Sequence, residues 1–514
     1  MAALAVLSGI VLILSFPKVS LYPLSAIALS PLIFVVAREP RAGRRVLWGC
    51  LAGLVFFAGT STWIYTVMRE FGGLGTLAAA GVLGLLCIIL SLYWGCFAWL
   101  AGRLWQVRWG PVAVPFLWVS LELARAHLFT GYPWLLLGYA VTDYPSLARL
   151  ARWTGVYGLS FLLVSFNVAW AWLLLRRDRT AGAFLAILLA GTALLYGTAP
   201  AETYRAEQTA FLVQTNIPQE VGREPWTLEA QRPLLERLET LTTDAVGRRE
   251  PPALVIWPEM PASFYFHDDS FSRPFMEGIA RRTNSYFLTG IVAFVPGSER
   301  TQPLNSNVLL DPSGELLSQY DKIHLVPFGE YIPWKRFLGF AGSLTAEAGG
   351  FVPGSRFVVT QLPGSPPPVG TPPAAGTNAG YGPQGGRVSS IICYEAIFPE
   401  LSRRFVQEGA EVLVNISNDG WFGRSSARDQ HLLIARMRAL ETRRWLLRAT
   451  NTGVTAVIDA NGRVRATLPP DRPGSLDGRF AYRSDLTPYV RWGDWFWLAA
   501  LAAQPLVIWK RGRR

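Results

Sequence analysis

The stretch LGTLAAAGVLGLLCIILSLYWGCFAWLA, residues 74–101, contains no charged side chain and is long enough to cross a lipid bilayer as one helix. Other apolar runs lie on both sides of it along the chain. Together they predict a polytopic α-helical bundle of about eight spans, seven of them before residue 200: 1–17, 21–37, 46–67, 74–101, 111–129, 153–175, 183–199 and about 495–509. We interpret the first run as a retained helix, because no basic residue precedes Lys18 as it would in a signal peptide.

The run at 111–129 differs from the others because Glu122, Arg125 and His127 lie near its end. Ionisable side chains inside a span usually face the interior of the helix bundle, whereas those at its end reach the aqueous interface. The sequence leaves both positions open for these three residues.

The composition of the whole chain agrees with a membrane protein. Of its 514 residues, 51% are hydrophobic and only 16% are charged, whereas soluble domains carry about 25% charged residues. The 48 Lys and Arg exceed the 36 Asp and Glu, which leaves a net charge of +12. Because the arginines lie beside the apolar runs, we attribute this excess to membrane topology and expect no nucleic-acid partner. The four cysteines have no spacing typical of zinc sites or disulfide frameworks.

The basic residues of the short loops predict the orientation of the bundle. Loops 38–45, 102–110 and 176–182 and the tail 510–514 contain four, two, three and four Lys or Arg, thirteen in total. The alternate loops contain only Lys18, Arg69, Arg149 and Arg152. We therefore expect both termini in the cytoplasm and residues 200–490 outside, in the periplasm if the cell is Gram-negative. The predicted domains are a bundle at 1–199, an external domain at 200–489, and a last helix with a basic tail at 490–514.

From about residue 205 the pattern changes to short β-rich runs that alternate with amphipathic stretches. The predicted strands are TAFLVQTNI (209–217), ALVIW (253–257), SYFLTGIVAF (285–294), VSSIIC (388–393), EVLVNIS (411–417) and GVTAVID (453–459), and helical spacing occurs at 227–246 and 428–447. This alternation predicts an α/β domain whose sheet is covered by helices. Residues 363–386 interrupt it with 7 Pro and 7 Gly. We interpret that segment as a flexible surface insertion in preference to a substrate lid.

Three residues of this domain could carry chemistry, and two of them, Glu259 and Cys393, lie at the ends of predicted strands. Cys393 ends the run VSSII, Glu259 follows ALVIW through Trp257-Pro258, and Lys322 lies in YDKIHLVPFGEYIP (320–333). Side chains at the carboxyl ends of strands lie where α/β sheets place their sites. A thiol is a good nucleophile once a base removes its proton, a partly desolvated carboxylate can be that base, and a lysine can stabilise an oxyanion. Each residue alone would indicate little.

A Cys–His pair is the competing arrangement, because His324 and His431 lie in the same domain. On a strand, His324 and Lys322 would point to the same face. The spacing does not exclude this pair, but no Asn or Asp that would orient the imidazole is evident.

The combined pattern resembles the nitrilase superfamily. The residues that carry the resemblance are Trp257-Pro258-Glu259, Lys322 with FGEY (328–331), and Cys393-Tyr394-Glu395. With seven helices before this domain and one after it, nearly the whole chain is similar to the bacterial apolipoprotein N-acyltransferases. The segments GYPW (131–134), NDGWFG (418–423) and RALETRRWLLRATNTG (438–453) also resemble that family.

The resemblance implies an α-β-β-α sandwich domain on a membrane helix bundle, and an expected monomer. It implies transfer of an acyl chain from a phospholipid, through a Cys thioester, to the N-terminal amine of a diacylglyceryl-cysteine apolipoprotein, with no metal or other cofactor. The implied roles are Glu259 as general base, Lys322 as stabiliser of oxyanion and thiolate, Cys393 as nucleophile, Glu330, Tyr394 and Glu395 as supporting residues, and Trp226 and Trp134 as lining of the lipid path. The Pro/Gly-rich insertion is the main departure from the family.

Two other functions remain open at this point. A membrane-tethered amidase or nitrilase would use the same three residues and let water complete the reaction, although eight spans exceed what a tether needs. A transporter or scaffold with an inactive external domain would show paired repeats or matched broken helices, and we find no such pairing. Such a domain should also have lost one of Glu259, Lys322 and Cys393, all of which are present.

Overall fold

The computed structural model of the chain describes residues 1–197, 206–218, 228–246, 253–262, 264–267, 271–299, 301–338, 350–363, 385–495 and 497–498. Trp226, residues 364–384 of the insertion and most of the predicted last span lie outside the described residues. The chain divides into two compact units. The helical unit comprises Met1–Glu202, Phe422–Glu441 and Thr487–Arg514, and the α/β unit comprises Thr203–Trp421 and Thr442–Leu486. The predicted external domain therefore differs from the α/β unit at 422–441, which groups with the helices.

Within the described residues 1–197, nine α-helices form the N-terminal part of the helical unit. They are α1 (Ala2–Leu14), α2 (Ser30–Arg38), α3 (Ala42–Thr60), α4 (Trp63–Glu70), α5 (Thr76–Leu104), α6 (Val114–His127), α7 (Pro145–Ala148), α8 (Ala151–Arg176) and α9 (Arg179–Gly197). Three of them, α3, α5 and α8, are long and apolar enough to cross a membrane. Shorter apolar helices cover Ala2–Leu14, Tyr22–Arg38 and Arg179–Leu195.

The apolar runs of the sequence are more broken in the structure than a count of spans implies. The run at 46–67 divides where α3 ends at Thr60 and α4 begins at Trp63. The run at 21–37 begins with a short 3₁₀ turn, Tyr22–Ala26, before α2. Proline occupies the first turn of that 3₁₀ segment, of α2 and of α6, and proline starts a helix more readily than it continues one. Against the eight predicted spans, the described residues therefore show three long apolar helices.

Helix α8 contains a kink that its sequence explains. Gly155 has φ 65° and ψ −177° inside the helix, a conformation that residues with a Cβ rarely adopt. A Cβ at this position would also lie 2.6 Å from the ring of Tyr489. The N–H of Val156, which begins the second part of α8, donates to Oε1 of Glu441 at 2.7 Å.

The α/β unit contains two six-stranded sheets. Its helices are α10 (Leu228–Val246), α11 (Ser272–Thr283), α12 (Lys335–Leu338) and α13 (Pro399–Gln407); α14 (Ala427–Thr442) and α15 (Pro488–Trp492) follow along the chain. Its strands are β1 (Gln208–Gln214), β2 (Leu254–Ile256), β3 (Tyr286–Phe294), β4 (Pro303–Leu310), β5 (Leu316–Asp321), β6 (Thr360–Gln361), β7 (Arg387–Ile392), β8 (Val412–Ser417), β9 (Trp445–Thr450), β10 (Thr455–Ile458), β11 (Val464–Leu468) and β12 (Gly474–Phe480). The sheet orders are β12-β1-β2-β3-β4-β5 and β11-β10-β9-β8-β7-β6.

Both sheets keep parallel strands at their centres. In the first sheet β1, β2 and β3 are parallel neighbours, and in the second β7, β8 and β9 are. Helices α10 and α11 share an apolar core with the first sheet. The sheets touch each other through polar contacts, including Asn307 on β4 with Ser390 on β7 and Gln214 on β1 with Thr455 on β10. The carboxyl ends of β2, β7 and β8 are therefore held in fixed register.

The predicted α/β domain and its six predicted strands are confirmed. The structure adds six strands that the sequence patterns did not predict, among them β4 and β5. Strand β4 has the sequence PLNSNVLL, whose buried polar residues hide the apolar signal of a strand. The helix expected at 428–447 ends at Thr442, and β9 begins at Trp445.

Candidate active site

Glu259, Lys322 and Cys393 each follow directly after a strand of the α/β unit. Glu259 comes three residues after β2, Lys322 is the first residue after β5, and Cys393 is the first residue after β7. All three side chains are buried. Because the strand ends fix their backbones, the three groups are positioned by the fold and not by mobile loops.

The ammonium of Lys322 is enclosed by two carboxylates. Its Nζ donates to Oε1 of Glu259 at 3.2 Å and to Oε1 of Glu330 at 2.8 Å. Burial alone would lower the pKa of this lysine, but Glu259, Glu330 and the Cys393 side chain act against burial and raise it above its ordinary value. Lys322 therefore stays protonated and is a permanent positive charge beside the thiol.

Cys393 has a backbone conformation that turns its side chain out of the strand. Its φ is +50°, in the left-handed region that costs a non-glycine residue free energy and is common at functional sites. Burial, then the charge of Glu259, raises the pKa of the thiol, while the charge of Lys322 opposes that rise. At rest the group is therefore a protonated thiol.

Asn305, in the interior of β4, connects the two carboxylates. Its Nδ2 donates to Oε1 of Glu259 at 2.9 Å and to Oε1 of Glu330 at 2.7 Å. The second oxygen of Glu330 accepts the backbone N–H of Val326 at 2.7 Å. Sequence reasoning missed Asn305; its signal was an amide inside an otherwise buried strand.

Glu395 connects two turns, the one that contains Lys322 and the one that contains Cys393. Its Oε1 accepts the hydroxyl of Tyr320 and the backbone N–H of Ile323, both at 2.7 Å, and the N–H of His324 at 3.1 Å. Its Oε2 accepts the N–H of Ile392 at 2.7 Å. Because four donors converge on this fully buried carboxylate, Glu395 fixes the lysine relative to the cysteine.

Two further features position Glu259. Its Oε2 accepts the backbone N–H of Asn418, just after β8, at 2.8 Å. Gly290 on β3 lies against the turn of Glu259, and a Cβ there would be 2.4 Å from the backbone nitrogen of Met260. Only glycine permits this approach.

The other residues considered from the sequence occupy different places. The ring of Tyr394 packs edge-on against Phe398, with centroids 5.4 Å apart, and the ring of His324 lies 3.6 Å from Phe398. Because β5 ends at Asp321, His324 and Lys322 do not share a strand face. His431 groups with the helical unit, where it lies 5.6 Å from the ring of Trp134.

Trp134 is fully buried within the helical unit. Its Nε1 donates to Oε1 of Gln430 at 2.7 Å. Arg125 donates to the carbonyls of Trp134 and Leu135, and Glu122 accepts the N–H of Leu137 at 2.8 Å. Glu122 and Arg125 therefore face the interior of the helical unit, where they hold the segment that follows GYPW.

The charges of the site determine how a proton must move. With Glu259 and Glu330 ionised and Lys322 protonated, these three groups already carry one excess negative charge. A thiolate beside them would add a second buried negative charge, which is costly. Transfer of the thiol proton to Glu259 leaves the total charge unchanged. The arrangement therefore favours nucleophilic attack in which Glu259 takes the proton.

Comparison with known proteins gives two family matches. Residues 8–169 match the apolipoprotein N-acyltransferase N-terminal domain, and residues 210–477 match the carbon-nitrogen hydrolase family. The second match and the two packed sheets identify the α/β unit as nitrilase-like.

Relatives resemble the chain along almost its whole length. It is 37% identical to the apolipoprotein N-acyltransferase of Geobacter metallireducens, over 98% of this chain and 94% of the relative. It is 34% identical to that of Methylococcus capsulatus, over 99% and 96%. Among solved structures it is similar to Saccharomyces cerevisiae Nit3, a member of branch 10 of the nitrilase superfamily, at 16% identity over 55% of this chain and 93% of that chain, with a TM-score of 0.39.

Proposed function

Because the chain belongs to the apolipoprotein N-acyltransferase family and is an acyltransferase, we propose that it moves an acyl chain from a membrane phospholipid to a lipoprotein by way of a thioester on Cys393. The acceptor is the N-terminal amine of a diacylglyceryl-cysteine apolipoprotein. The observation that carries the proposal is the contact of Lys322 with Glu259 and Glu330 next to a buried thiol at a strand end.

The first half-reaction forms the thioester. Glu259 accepts the thiol proton while Sγ of Cys393 attacks the carbonyl carbon of the phospholipid ester. Lys322 stabilises the negative oxygen of the tetrahedral intermediate, since its ammonium is fixed and shielded from water. The ester C–O bond then breaks, and Glu259 returns the proton to the oxygen of the departing lysophospholipid.

The second half-reaction transfers the acyl chain. Glu259, ionised again, accepts one proton from the incoming ammonium, and the neutral amine attacks the thioester carbon. When the C–S bond breaks, the second amine proton goes to Sγ and regenerates the thiol. The proton on Glu259 passes to water, which completes the cycle.

The proposed topology follows the sequence expectations. Eight spans anchor the protein in the bacterial inner membrane as a monomer, with both termini cytoplasmic and the catalytic domain periplasmic. The three long apolar helices support membrane insertion. An opening toward lipid would let the donor reach Cys393 while water is kept from the thioester.

Intact mass spectrometry of the detergent-purified protein after incubation with phospholipid tests the donor step. We expect an added acyl mass that hydroxylamine removes and that Cys393→Ala lacks. Cys96→Ala, which removes a cysteine of the helical unit, is the matched control and should keep the adduct. Adding a diacylglyceryl-cysteine peptide should discharge the adduct onto the peptide amine.

Two results would contradict the proposal. An adduct that persists in Cys393→Ala would place the nucleophile elsewhere. Release of free fatty acid without transfer to the peptide would favour the hydrolase instead.

A further inference from the structure

The end of strand β8 touches both groups that exchange a proton in the proposed reaction. The Ser417 hydroxyl is hydrogen-bonded with the thiol of Cys393. The backbone N–H of the next residue, Asn418, donates to Oε2 of Glu259 at 2.8 Å. One short segment therefore contacts the nucleophile and its base at the same time.

A buried ion pair holds this segment from behind. Ser417 Oγ donates to Oδ1 of Asp419 at 2.7 Å, and Nη2 of Arg448 donates to Oδ2 of Asp419 at 2.6 Å. The other terminal nitrogen of Arg448 donates to Oδ1 of Asn415, its register partner on β8. Neither Asp419 nor Arg448 is exposed to solvent.

Residues 451–453 lie against this pair and leave space for it. A Cβ on Gly453 would lie 2.3 Å from Oδ2 of Asp419, so the carboxylate occupies the space that a side chain would need. Asn451 donates to Oδ1 of Asn418 at 3.1 Å and holds the segment from the side of β9. A buried ion pair contributes little net stability, because desolvation offsets its attraction. Its position behind the thiol therefore points to a role in the reaction.

Asp419 acts on the thiol through its charge, whereas Arg448 acts on the thiol through its pairing with Asp419. The thiol faces Glu259, Lys322 and Asp419, with Glu330 behind the lysine and Arg448 behind the aspartate. The charge of Asp419 raises the pKa of the thiol. Arg448 is the cation that compensates this carboxylate, so the thiol experiences only the difference between the two charges.

We propose that Asp419 and Arg448 are positioning residues for acyl transfer. They hold residues 417–419 so that the Ser417 hydroxyl contacts the thiol and the Asn418 N–H contacts Glu259, while the charges of Asp419 and Arg448 compensate each other. This inference rests on the proposed function for its effect on acyl transfer. The effect of Asp419 and Arg448 on the thiol does not depend on any substrate.

The test is the rate at which iodoacetamide alkylates Cys393, followed by intact mass at pH 8. The protein used is the full chain with Cys50, Cys87 and Cys96 replaced by Ala, so that Cys393 is the single thiol. Asp419→Asn removes the nearby negative charge, and alkylation should become roughly 10-fold faster. Arg448→Gln leaves Asp419 uncompensated, and alkylation should become roughly 10-fold slower. Acyl-enzyme formation should fall at least about 10-fold in both, since the segment is no longer held.

Four further variants keep the test decisive. The double variant Asp419→Asn/Arg448→Gln carries no uncompensated charge and should return alkylation to within about 3-fold of the parent. Arg448→Lys retains the charge and should also restore alkylation. The pair of Asp459 and Arg465 at the far side of the same sheet is the matched control. Asp459→Asn and Arg465→Gln should leave alkylation within about 2-fold of the parent.

The outcomes separate this inference from the proposed function. Shifts of alkylation in the same direction in both single variants, or in neither, would overturn the positioning role. Opposite shifts in a parent protein that forms no acyl-enzyme would support the role of the pair at the thiol and overturn the acyl-donor assignment.

Discussion

Lys322 lies between two carboxylates, and this single contact explains how a buried cysteine remains ready for reaction without being ionised. Burial and the negative charge of Glu259 raise the pKa of the thiol and keep it protonated, whereas the ammonium of Lys322 is in place to stabilise an oxyanion. The nucleophile is thus activated only when a substrate carbonyl is present to receive the electron pair.

Replacing Glu259 by Gln should separate thiol ionisation from catalysis. The variant loses the base, so acyl-enzyme formation should fall by about 100-fold or more. It also loses a negative charge that raises the pKa of the thiol, so alkylation of Cys393 at pH 8 should become faster. Glu408→Gln, at an exposed carboxylate just after α13, is the control and should change neither rate. A variant in which both rates fell together would argue against Glu259 as the base.

The raised pKa of Cys393 predicts how stability depends on pH. In the unfolded chain a thiol ionises near pH 8.5, whereas the folded protein keeps it protonated at higher pH. The free energy of unfolding should therefore fall by about 1.4 kcal/mol per pH unit above that value. Cys393→Ser has no such group, so between pH 8 and pH 10 its melting temperature should fall less than that of the parent. Parallel melting curves for the two proteins would contradict the assignment.

The sequence predicts candidate residues at the ends of apolar runs, as at Glu259 and Cys393, and the structure brings both of them close to Lys322. It fails where the contact is made by the backbone, as at Asn418, since no side-chain pattern encodes a donated N–H. It fails also at Asn305 and Arg448, which lie inside strands and become partners only through strand pairing.

At the scale of elements, strands β6 and β7 form the base of the Pro/Gly-rich insertion. Thr360 pairs with Val388 and Gln361 with Arg387, and the N–H of Leu362 donates to the carbonyl of Gly386 at 3.1 Å. The chain therefore leaves and re-enters the sheet at nearly the same point, as in a hairpin.

Because the ends of the insertion already meet, residues 364–384 can be replaced by a two-residue Asn-Gly turn. We expect acyl-enzyme formation to stay within about 3-fold of the parent, since loop length alone changes stability only slightly. Activity and expression of the shortened protein, compared side by side, check this expectation. A large loss of activity at normal expression would identify the segment as a working lid.

Gly290→Ala tests whether the turn of Glu259 tolerates a displacement. The added methyl would overlap the backbone nitrogen of Met260, so either β3 or the turn must move. We expect acyl-enzyme formation to fall by about 10-fold or more, because small misplacements of a reacting group are costly. Gly474→Ala on β12, where the nearest atom would be 3.7 Å away, should leave the rate unchanged. Equal rates for both variants would show that the close approach has no catalytic importance.

The elements that sequence patterns placed correctly are those with one consistent apolar periodicity. Strands β2, β3 and β8 are nearly continuous apolar runs and were predicted within two residues. The helical spacing at 428–447 predicts one continuous helix. In the structure Arg438 and Arg444 are buried and the helix ends at Thr442, because hydrogen bonds and ion pairs satisfy these cations inside the protein.

At the scale of the whole molecule, the helical unit is built from three separate parts of the chain. Glu441, at the end of its middle part, accepts the N–H of Val156 and pairs with Arg438 at 2.9 Å, with both side chains fully buried. Glu441 is therefore a structural partner of helix α8, although in the sequence it lies beyond Cys393.

Glu441→Ala should destabilise the helical unit by about 3–5 kcal/mol, since it leaves Arg438 as an uncompensated buried charge. The expected result is a lower yield of folded protein and a lower melting temperature in detergent. Arg436→Ala on the same helix breaks the pair with the exposed Asp143 and should cost at most about 1 kcal/mol. Equal losses in both variants would contradict the role of Glu441.

Because residues 422–441 belong to the helical unit, this unit cannot be completed until the intervening α/β sequence has been synthesised. Ribosomes add about 5–20 residues per second, so the 219 residues from Thr203 to Trp421 occupy roughly 10–45 s after the first helices have been made. During that interval the indole N–H of Trp134 lacks its acceptor Gln430, and the backbone N–H of Val156 lacks its acceptor Glu441. The nascent chain must be protected from degradation until residues 422–441 have been synthesised and make these two contacts.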